Sequence, residues 1–537
     1  MKITMGRFDW RSERFLLFLI LLLAAILRLV RLDALPPAMF RDEAEKAYNA
    51  YSILKTGRDI DGRLLPIFIH VFGVTTSAIY QYAAIPFIAA LGLNEWSARL
   101  PAAAAGIATI GFTFLVMRIL RGSRTALWAA FLLALSPWHI VFSRWAQQGI
   151  FVPLLLSIGA YGLARYTSRA NPRKSDMTLL LIGTASMGFA TYVYDVARLF
   201  VPLLLLVALI TYWRQLSRAP LLLGGTVVAC LIGALPTLYL LFFQSGSAHA
   251  RFGFVSILQP GIGAVEIVRV FFMNYVAHWS PQFLLLHGDS ELRHGPQIGV
   301  LTLLEILGLV AGGVVLLRDR SRANWFWIGW LLLFPVAASL TRIGIPHALR
   351  CIVALPALQI VAAIGLETCT QHIRIERRRA FQQLLVLLAF LTFVPFGLRY
   401  YSHQYALASA FNWQYGLKES LKLCNEGELR DARVYMHNIV GAEYLVPFYL
   451  GADPNAVQSV RRTSSAHFGR FVYLPFQQED RLLQVSDDLP AAYITPPGRY
   501  SWPRGWRPLA IFPAHDENYP PVLYVYLNPA LRAKLEK

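Results

Sequence analysis

Residues 31–59, RLDALPPAMFRDEAEKAYNAYSILKTGRD, place two adjacent carboxylates, Asp42 and Glu43, just behind a long apolar run. Two readings of Asp42 follow. With Glu45 it has capping-box spacing, which predicts a helix from Glu43 to a stop at Gly57. As an acid held close to a membrane, it is also a candidate for chemistry. One role does not exclude the other.

The apolar run before it, Phe15 to Leu27, has no small-residue cleavage site and leads into Arg28 and Arg31. It reads as an uncleaved first transmembrane helix. The rest of the chain repeats the theme. Of 537 residues, 56% are hydrophobic, and the mean hydropathy is +0.47. That composition predicts an α-helical polytopic membrane protein. The formal charge of +19 does not point to nucleic acid, because the basic residues lie in short clusters between apolar runs. The four cysteines, Cys230, Cys351, Cys369 and Cys424, have neither disulfide nor metal spacing.

Charge sets the expected topology. Lys2, Arg7, Arg11 and Arg14 keep the N-terminus cytoplasmic. Residues 33–99 then form a first outer loop rich in acids, and RILRGSR after Met117 returns inside. Basic inner loops follow at 165–174, 214–218, 318–322 and 374–379. The outer loops are SPWHIVFSRWAQQ (136–148), TYVYDVAR (191–198), residues 244–297, and TRIGIPHALR (341–350). About eleven spans result, ending near Gly397. Counting Ile79–Leu93 as a span would invert every later loop, so it is read as a juxtamembrane helix in the outer interface, carrying Tyr80, Tyr82 and Phe87.

The expected division is a membrane domain over 1–397 and a soluble α/β domain over 398–537. In the second part the apolar runs shorten to strand length in ARVYMHN, GRFVYLPF, AAYITPP and PVLYVYLNP. Between them GAEYLVPFYLGADP has helical spacing and a glycine stop.

The outer loops collect ionisable groups: Asp195, Arg198, Asp289, Arg293, His294, Arg342, His347 and Arg350. Arg198 is placed to pair with Asp195, and Arg350 opens a span where an interfacial anchor is common. The histidines of HGDSELRH suggest a metal, but the sequence shows no third ligand at close spacing. A divalent metal is thus possible but not indicated, and no cofactor is required. The set suits sugar transfer from a lipid phosphate. That leaving group needs no general acid, only a carboxylate for the acceptor's proton and cations for the phosphate. A glycosidase would instead flank the bond with two carboxylates.

On these motifs the chain resembles the GT-C glycosyltransferases of the protein O-mannosyltransferase and lipid A aminoarabinose-transferase type, notably bacterial family 39. The matching stretches are the first-loop segment quoted above, GLNEWSARLPAAAAG (92–106), SPWHIVFSRWAQQ, TYVYDVAR, HGDSELRHG and IPHALRCIVALPAL (345–358). FNWQYGLKES (411–420) is similar to the start of the family's C-terminal region. The resemblance implies that Asp42, with Glu43 beside it, is the catalytic base of an inverting transfer. The donor would be a sugar on a polyprenyl phosphate and the acceptor a hydroxyl on a lipid, glycan or protein. The implied location is the outer face of a bacterial inner membrane, with the C-terminal domain periplasmic. Tyr80 and the outer-loop groups named above are the candidates for donor phosphate or sugar. One departure stands out: Thr76-Ser77-Ala78 occupies the place where many relatives carry Lys-Pro-Pro. It keeps open two other readings, a transporter or flippase for a lipid-linked sugar and a non-catalytic binding protein.

Overall fold

The structure is a computed structural model that describes residues 10–243, 253–319, 321–463, 467–474, 489–497, 506–513 and 519–535. The chain packs as two compact units. One comprises residues 1–30, 70–77 and 102–400, and the other 31–69, 78–101 and 401–537. The sequence division at 397/398 follows the chain, whereas packing groups most of the first outer loop with the tail.

The first unit is a helical membrane bundle. Among the described residues, seven helices are long and apolar enough to cross a membrane: Glu95–Arg121, Gln148–Thr167, Lys174–Val193, Ala197–Leu216, Pro220–Phe243, Ile352–His372 and Ile375–Tyr400. Helix α1 (Trp10–Leu29) and the helices Ser123–Leu135, Leu303–Arg318 and Arg322–Leu333 are shorter or more charged. Helices pack closely where side chains vanish. A Cβ on Gly183 would lie 3.1 Å from the Cα of Gly159, the small-residue contact that draws membrane helices together. Pro220–Phe243 instead turns Val227, Val228, Leu231, Ile232 and Leu235 outward, as a lipid-facing helix does.

Arg28, which argued against a cleaved signal, is fully buried. It donates to the carbonyls of Ala134 (3.1 Å) and Leu133 (3.2 Å) and to His139 Nδ1 (2.8 Å). It thereby satisfies the open C-terminal carbonyls of the Ser123–Leu135 helix. Arg144 answers from the other side, donating to the carbonyls of Leu27 (3.1 Å) and Val30 (2.8 Å) at the end of α1.

The second unit is α/β. It holds α2 (Arg41–Thr56), α3 (Ile79–Leu91) and the first residues of α4 (Glu95–Arg121). With 13 residues, α3 is about 20 Å long at ~1.5 Å per residue, too short for a span. A short hairpin, β1 (Phe68–Val71) and β2 (Val74–Ser77), falls for the most part, residues 70–77, in the first unit, and the remaining strands all lie in the tail. They are β3 (Arg433–His437), β4 (His467–Phe468), β5 (Phe471–Leu474), β6 (Ala491–Thr495), β7 (Pro508–Phe512) and β8 (Leu523–Leu527). They form one sheet in the order β4-β5-β3-β6-β8-β7. β3 runs parallel to β5 and β6, and β8 antiparallel to β6 and β7. The expected helix is Ala442–Leu450, ended by Gly451 in the left-handed region.

Candidate functional site

The Asp42 region lies in the α/β unit. Helix α2 begins at Arg41, two residues earlier than the capping-box reading, so Asp42 is not its cap. Glu43 takes that part: the backbone N–H of Phe40 donates to Glu43 Oε2 at 3.1 Å. The stop at Gly57 is as expected, with φ +69 and its N–H returned to the carbonyl of Ile53.

Glu43 has a second and stronger partner. Arg99, from the GLNEWSARLP stretch, donates Nε to Oε1 and Nη2 to Oε2, both at 2.9 Å. Its remaining donors go to the carbonyls of Leu32 (3.0 Å), Pro36 (2.9 Å) and Ala38 (2.6 Å). Both side chains are 0% exposed. The paired fork is the geometry that guanidinium and carboxylate favour. Of the two adjacent acids, Glu43 is thus committed to holding the chain together.

Asp42 is not. Its side chain is 34% exposed and its nearest cation is Arg41 Nε, 3.5 Å from Oδ1. It sits in the first turn of α2, where free amides and the helix dipole favour an anion. Next along the helix, Glu45 is buried and accepts from Asn49 Nδ2 and Gln81 Nε2, both at 2.9 Å. Burial raises its carboxyl above the usual range against the opposing pull of Lys46.

The tail grips α2 along its length. Gln414 Oε1 accepts the Arg41 N–H (2.9 Å), and Gln414 Nε2 donates to the Val440 carbonyl (2.7 Å). Tyr48 Oη donates to the Ala452 carbonyl (3.0 Å). Gln458 Nε2 reaches Ser52 Oγ (3.0 Å), Thr56 Oγ1 (3.0 Å) and the Asp59 carbonyl (3.1 Å). Gly441, at φ +83, leaves room for Arg41 that a Cβ would take. Tyr80, expected to face substrate, is fully buried here and donates its hydroxyl to the Ala98 carbonyl at 2.8 Å.

The other candidates lie in the membrane unit. Arg198 pairs with Asp195 at 2.9 Å, as the sequence allowed. Arg293 forks onto Glu291, with Nε to Oε1 at 3.0 Å and Nη2 to Oε2 at 2.8 Å. Burial pushes the Glu291 carboxyl up, but Arg293 and His294 override it and hold the group down at about 2. Arg342 donates to the Phe254 carbonyl, and Arg350 to Thr341 Oγ1 (2.8 Å) and the Ile343 carbonyl. Each candidate arginine therefore already has a protein partner.

Asp289, His294 and His347 come together, their ligand atoms within 4.8 Å of one another. Of the two histidines of HGDSELRH that suggested a metal, His294 belongs to this group and His287 does not; Asp289 joins it, and His347 arrives from the 341–350 loop, which chain separation hid. These three side chains are the group among the described residues that could hold a metal. Asp289 Oδ2 already accepts from His294 Nδ1 (2.6 Å) and from the Ala348 N–H (2.7 Å). The His347 N–H donates to His278 Nε2 (3.2 Å).

Sequence reasoning passed over a turn between these groups. Trp145 lies tilted against His294, with ring centroids 5.9 Å apart, and the Arg293 guanidinium lies 5.9 Å from the same indole. Gln147 and Gln148 follow after Ala146, each only 7% exposed.

Comparison with known proteins places this architecture. Residues 76–240 match the profile of the family described as dolichyl-phosphate-mannose-protein mannosyltransferase. No curated protein matches significantly by sequence. Among solved structures, apo ArnT from Cupriavidus metallidurans gives a TM-score of 0.61 at 17% identity, over 97% of this chain and 99% of that one. ArnT bound to undecaprenyl phosphate gives 0.59 at 15% identity, with coverages of 97% and 99%. The oligosaccharyltransferase AglB from Archaeoglobus fulgidus, in complex with an inhibitory peptide and a dolichol-phosphate, gives 0.50 at 13% identity, over 82% and 64%. At such identities the likeness is one of fold.

Proposed function

We propose that this chain, a multi-pass membrane protein with the GT-C glycosyltransferase fold, moves a sugar from a polyprenyl phosphate to a hydroxyl acceptor. The reading places the reaction at the outer face of a bacterial inner membrane, with the N-terminus cytoplasmic and the C-terminal domain periplasmic. Support for the donor class comes from the matching profile, described by a dolichyl-phosphate sugar, and from the fold shared with an ArnT that binds undecaprenyl phosphate.

Asp42 is the base in this reading. Its carboxylate takes the acceptor hydroxyl's proton, the oxygen attacks the anomeric carbon, and the bond from that carbon to the phosphate oxygen breaks. The electron pair leaves with the polyprenyl phosphate, and attack from the opposite face inverts the centre. The departing charge falls to arginine, with Arg198, Arg293, Arg342 and Arg350 as candidates. Each would exchange its present protein partner for the phosphate.

The observation that carries the assignment is the contrast within one acid pair. Glu43 is locked by Arg99 at 0% exposure, while Asp42 remains 34% exposed with a loose cation contact. The test is release of free polyprenyl phosphate by purified protein from a panel of polyprenyl-phosphate sugars, for wild type and Asp42→Asn. Release lost in a folded variant supports the reading; retained release removes Asp42 as base.

A further inference from the structure

The turn at residues 143–150 of the membrane unit is fixed from three sides. Arg144 ties it to the carbonyls of Leu27 and Val30. Gln148 Nε2 donates to Thr76 Oγ1 at 3.1 Å, so its carboxamide is oriented. Gly149 sits against Leu349, where an added Cβ would come within 2.8 Å of Cδ1. A turn held this firmly does not place its side chains by chance.

What it holds is unusual. Gln147 Oε1 and Gln148 Oε1 are buried and have no hydrogen-bond partner among the described residues. Native proteins rarely leave a buried acceptor unpaired, and such an atom asks for a donor from water or from a ligand. The sign of the request is informative. A carboxamide oxygen accepts and does not donate, so it repels the oxygens of a phosphate and calls for O–H or N–H groups. Two consecutive acceptors on the turn that also carries Trp145, whose indole lies 5.9 Å from the Arg293 guanidinium, match the hydroxyl-bearing part of a ligand. A site built to pair hydroxyls also discriminates strongly against ligands that lack them.

We propose that Gln147 and Gln148 form the subsite that reads the sugar of the donor, each oxygen accepting a hydrogen bond from a sugar hydroxyl. Thr76, in the Thr-Ser-Ala departure, serves this subsite by orienting Gln148. The inference rests on the donor reading given above and narrows it to a hydroxylated sugar recognised by uncharged acceptors.

The test measures binding, not turnover. Purified full-length protein in detergent is titrated with bare undecaprenyl phosphate. It is also titrated with undecaprenyl phosphate carrying mannose, glucose, galactose, N-acetylglucosamine or 4-amino-4-deoxyarabinose. For wild type, the best sugar lipid binds at least tenfold tighter than the bare carrier. Gln147→Leu and Gln148→Leu bring that sugar lipid to the affinity of the bare carrier, whose own affinity stays within twofold and so reports an intact fold. Gln147→Glu, which keeps the acceptor oxygens, retains the preference. Leu variants that keep the preference, or that weaken bare carrier and sugar lipid equally, overturn the subsite. So does a wild type that binds the bare carrier but no sugar lipid better. A wild type that binds neither carrier nor sugar lipid overturns the donor reading itself.

Discussion

Arg99 and Glu43 form a two-point ion pair with both side chains at 0% exposure, and Arg99 spends its other donors on the carbonyls of Leu32, Pro36 and Ala38. The pair therefore closes the entry to α2 and joins it to the start of α4. Removing one partner of a buried pair strands the other, which costs about 3–5 kcal/mol. Arg99→Met is expected to lower apparent stability by that order. Arg99→Lys recovers little, because one ammonium cannot serve a fork and three carbonyls together. Thermal melts in detergent of the single variants and of Arg99→Met with Glu43→Leu check this. Coupling appears as a double variant less damaged than the sum.

The same pair distinguishes the two acids structurally, Glu43 locked and Asp42 partly exposed. Asp42→Asn is expected to reduce turnover by about 10²–10⁴-fold, the range for a lost general base, with the melting temperature little changed. Glu43→Gln is expected to do the reverse. It weakens the Arg99 contact and lowers stability, yet leaves most of the turnover per folded molecule. Turnover normalised to folded protein, measured beside the melts, decides. Equal loss of turnover in both variants would place the two acids in one catalytic role.

The membrane bundle was legible because its signal is long-range and redundant: many apolar runs with basic loops between them. The tail strands β3, β5, β6 and β8 were legible as short apolar runs bounded by turn residues. β4, two residues long, and β7, which opens on a proline, carry too little pattern to see. The Asp42 cap reading failed because capping spacing fits both Asp42–Glu45 and the true Phe40–Glu43 pairing. Tyr80 looked interfacial by its aromatic character, but its hydroxyl finds a backbone carbonyl inside the unit. Arg99, His347 and the two glutamines have roles set by chain-distant neighbours. No local periodicity announces such partners.

Glu45 makes a pH prediction with a definite sign. Its carboxyl is raised by burial above the ordinary value of 4.5. The folded state thus holds the proton more tightly than the unfolded one, and the stabilisation from it is full below about 4.5 and lost as pH rises through the raised value. Wild type should lose stability over that rise. Glu45→Gln keeps an acceptor for Asn49 and Gln81 without a titrating proton, so its profile is flatter and the variant is relatively more stable at neutral pH. Glu291 runs the opposite way. Held down at about 2, it stabilises above the ordinary value of 4.5 and loses that contribution as pH falls toward 2. Arg293→Gln removes the main pull that holds the carboxyl down, so this acid loss should shrink or disappear in the variant. Melting temperature against pH for the three proteins is the measurement, and a wild-type profile matching Glu45→Gln would sink the first half.

Metal removal addresses the Asp289, His294 and His347 cluster. Asp289 Oδ2 is already shared between His294 Nδ1 at 2.6 Å and the Ala348 N–H at 2.7 Å. This is a bonding pattern that orients an imidazole and pins the 341–350 loop without any ion. In the proposed transfer, arginines carry the leaving phosphate's charge, so no step asks for a Lewis acid. Dialysis against EDTA is therefore expected to leave polyprenyl-phosphate release within twofold of the untreated protein. Asp289→Asn, which weakens the charge-assisted bond to His294, is expected to lower stability at neutral pH whether or not metal is present. Metal content by mass spectrometry before and after dialysis completes the measurement. Activity that falls with stoichiometric loss of one divalent ion, and returns when the ion is restored, would turn the cluster from a hydrogen-bonded clamp into a metal centre.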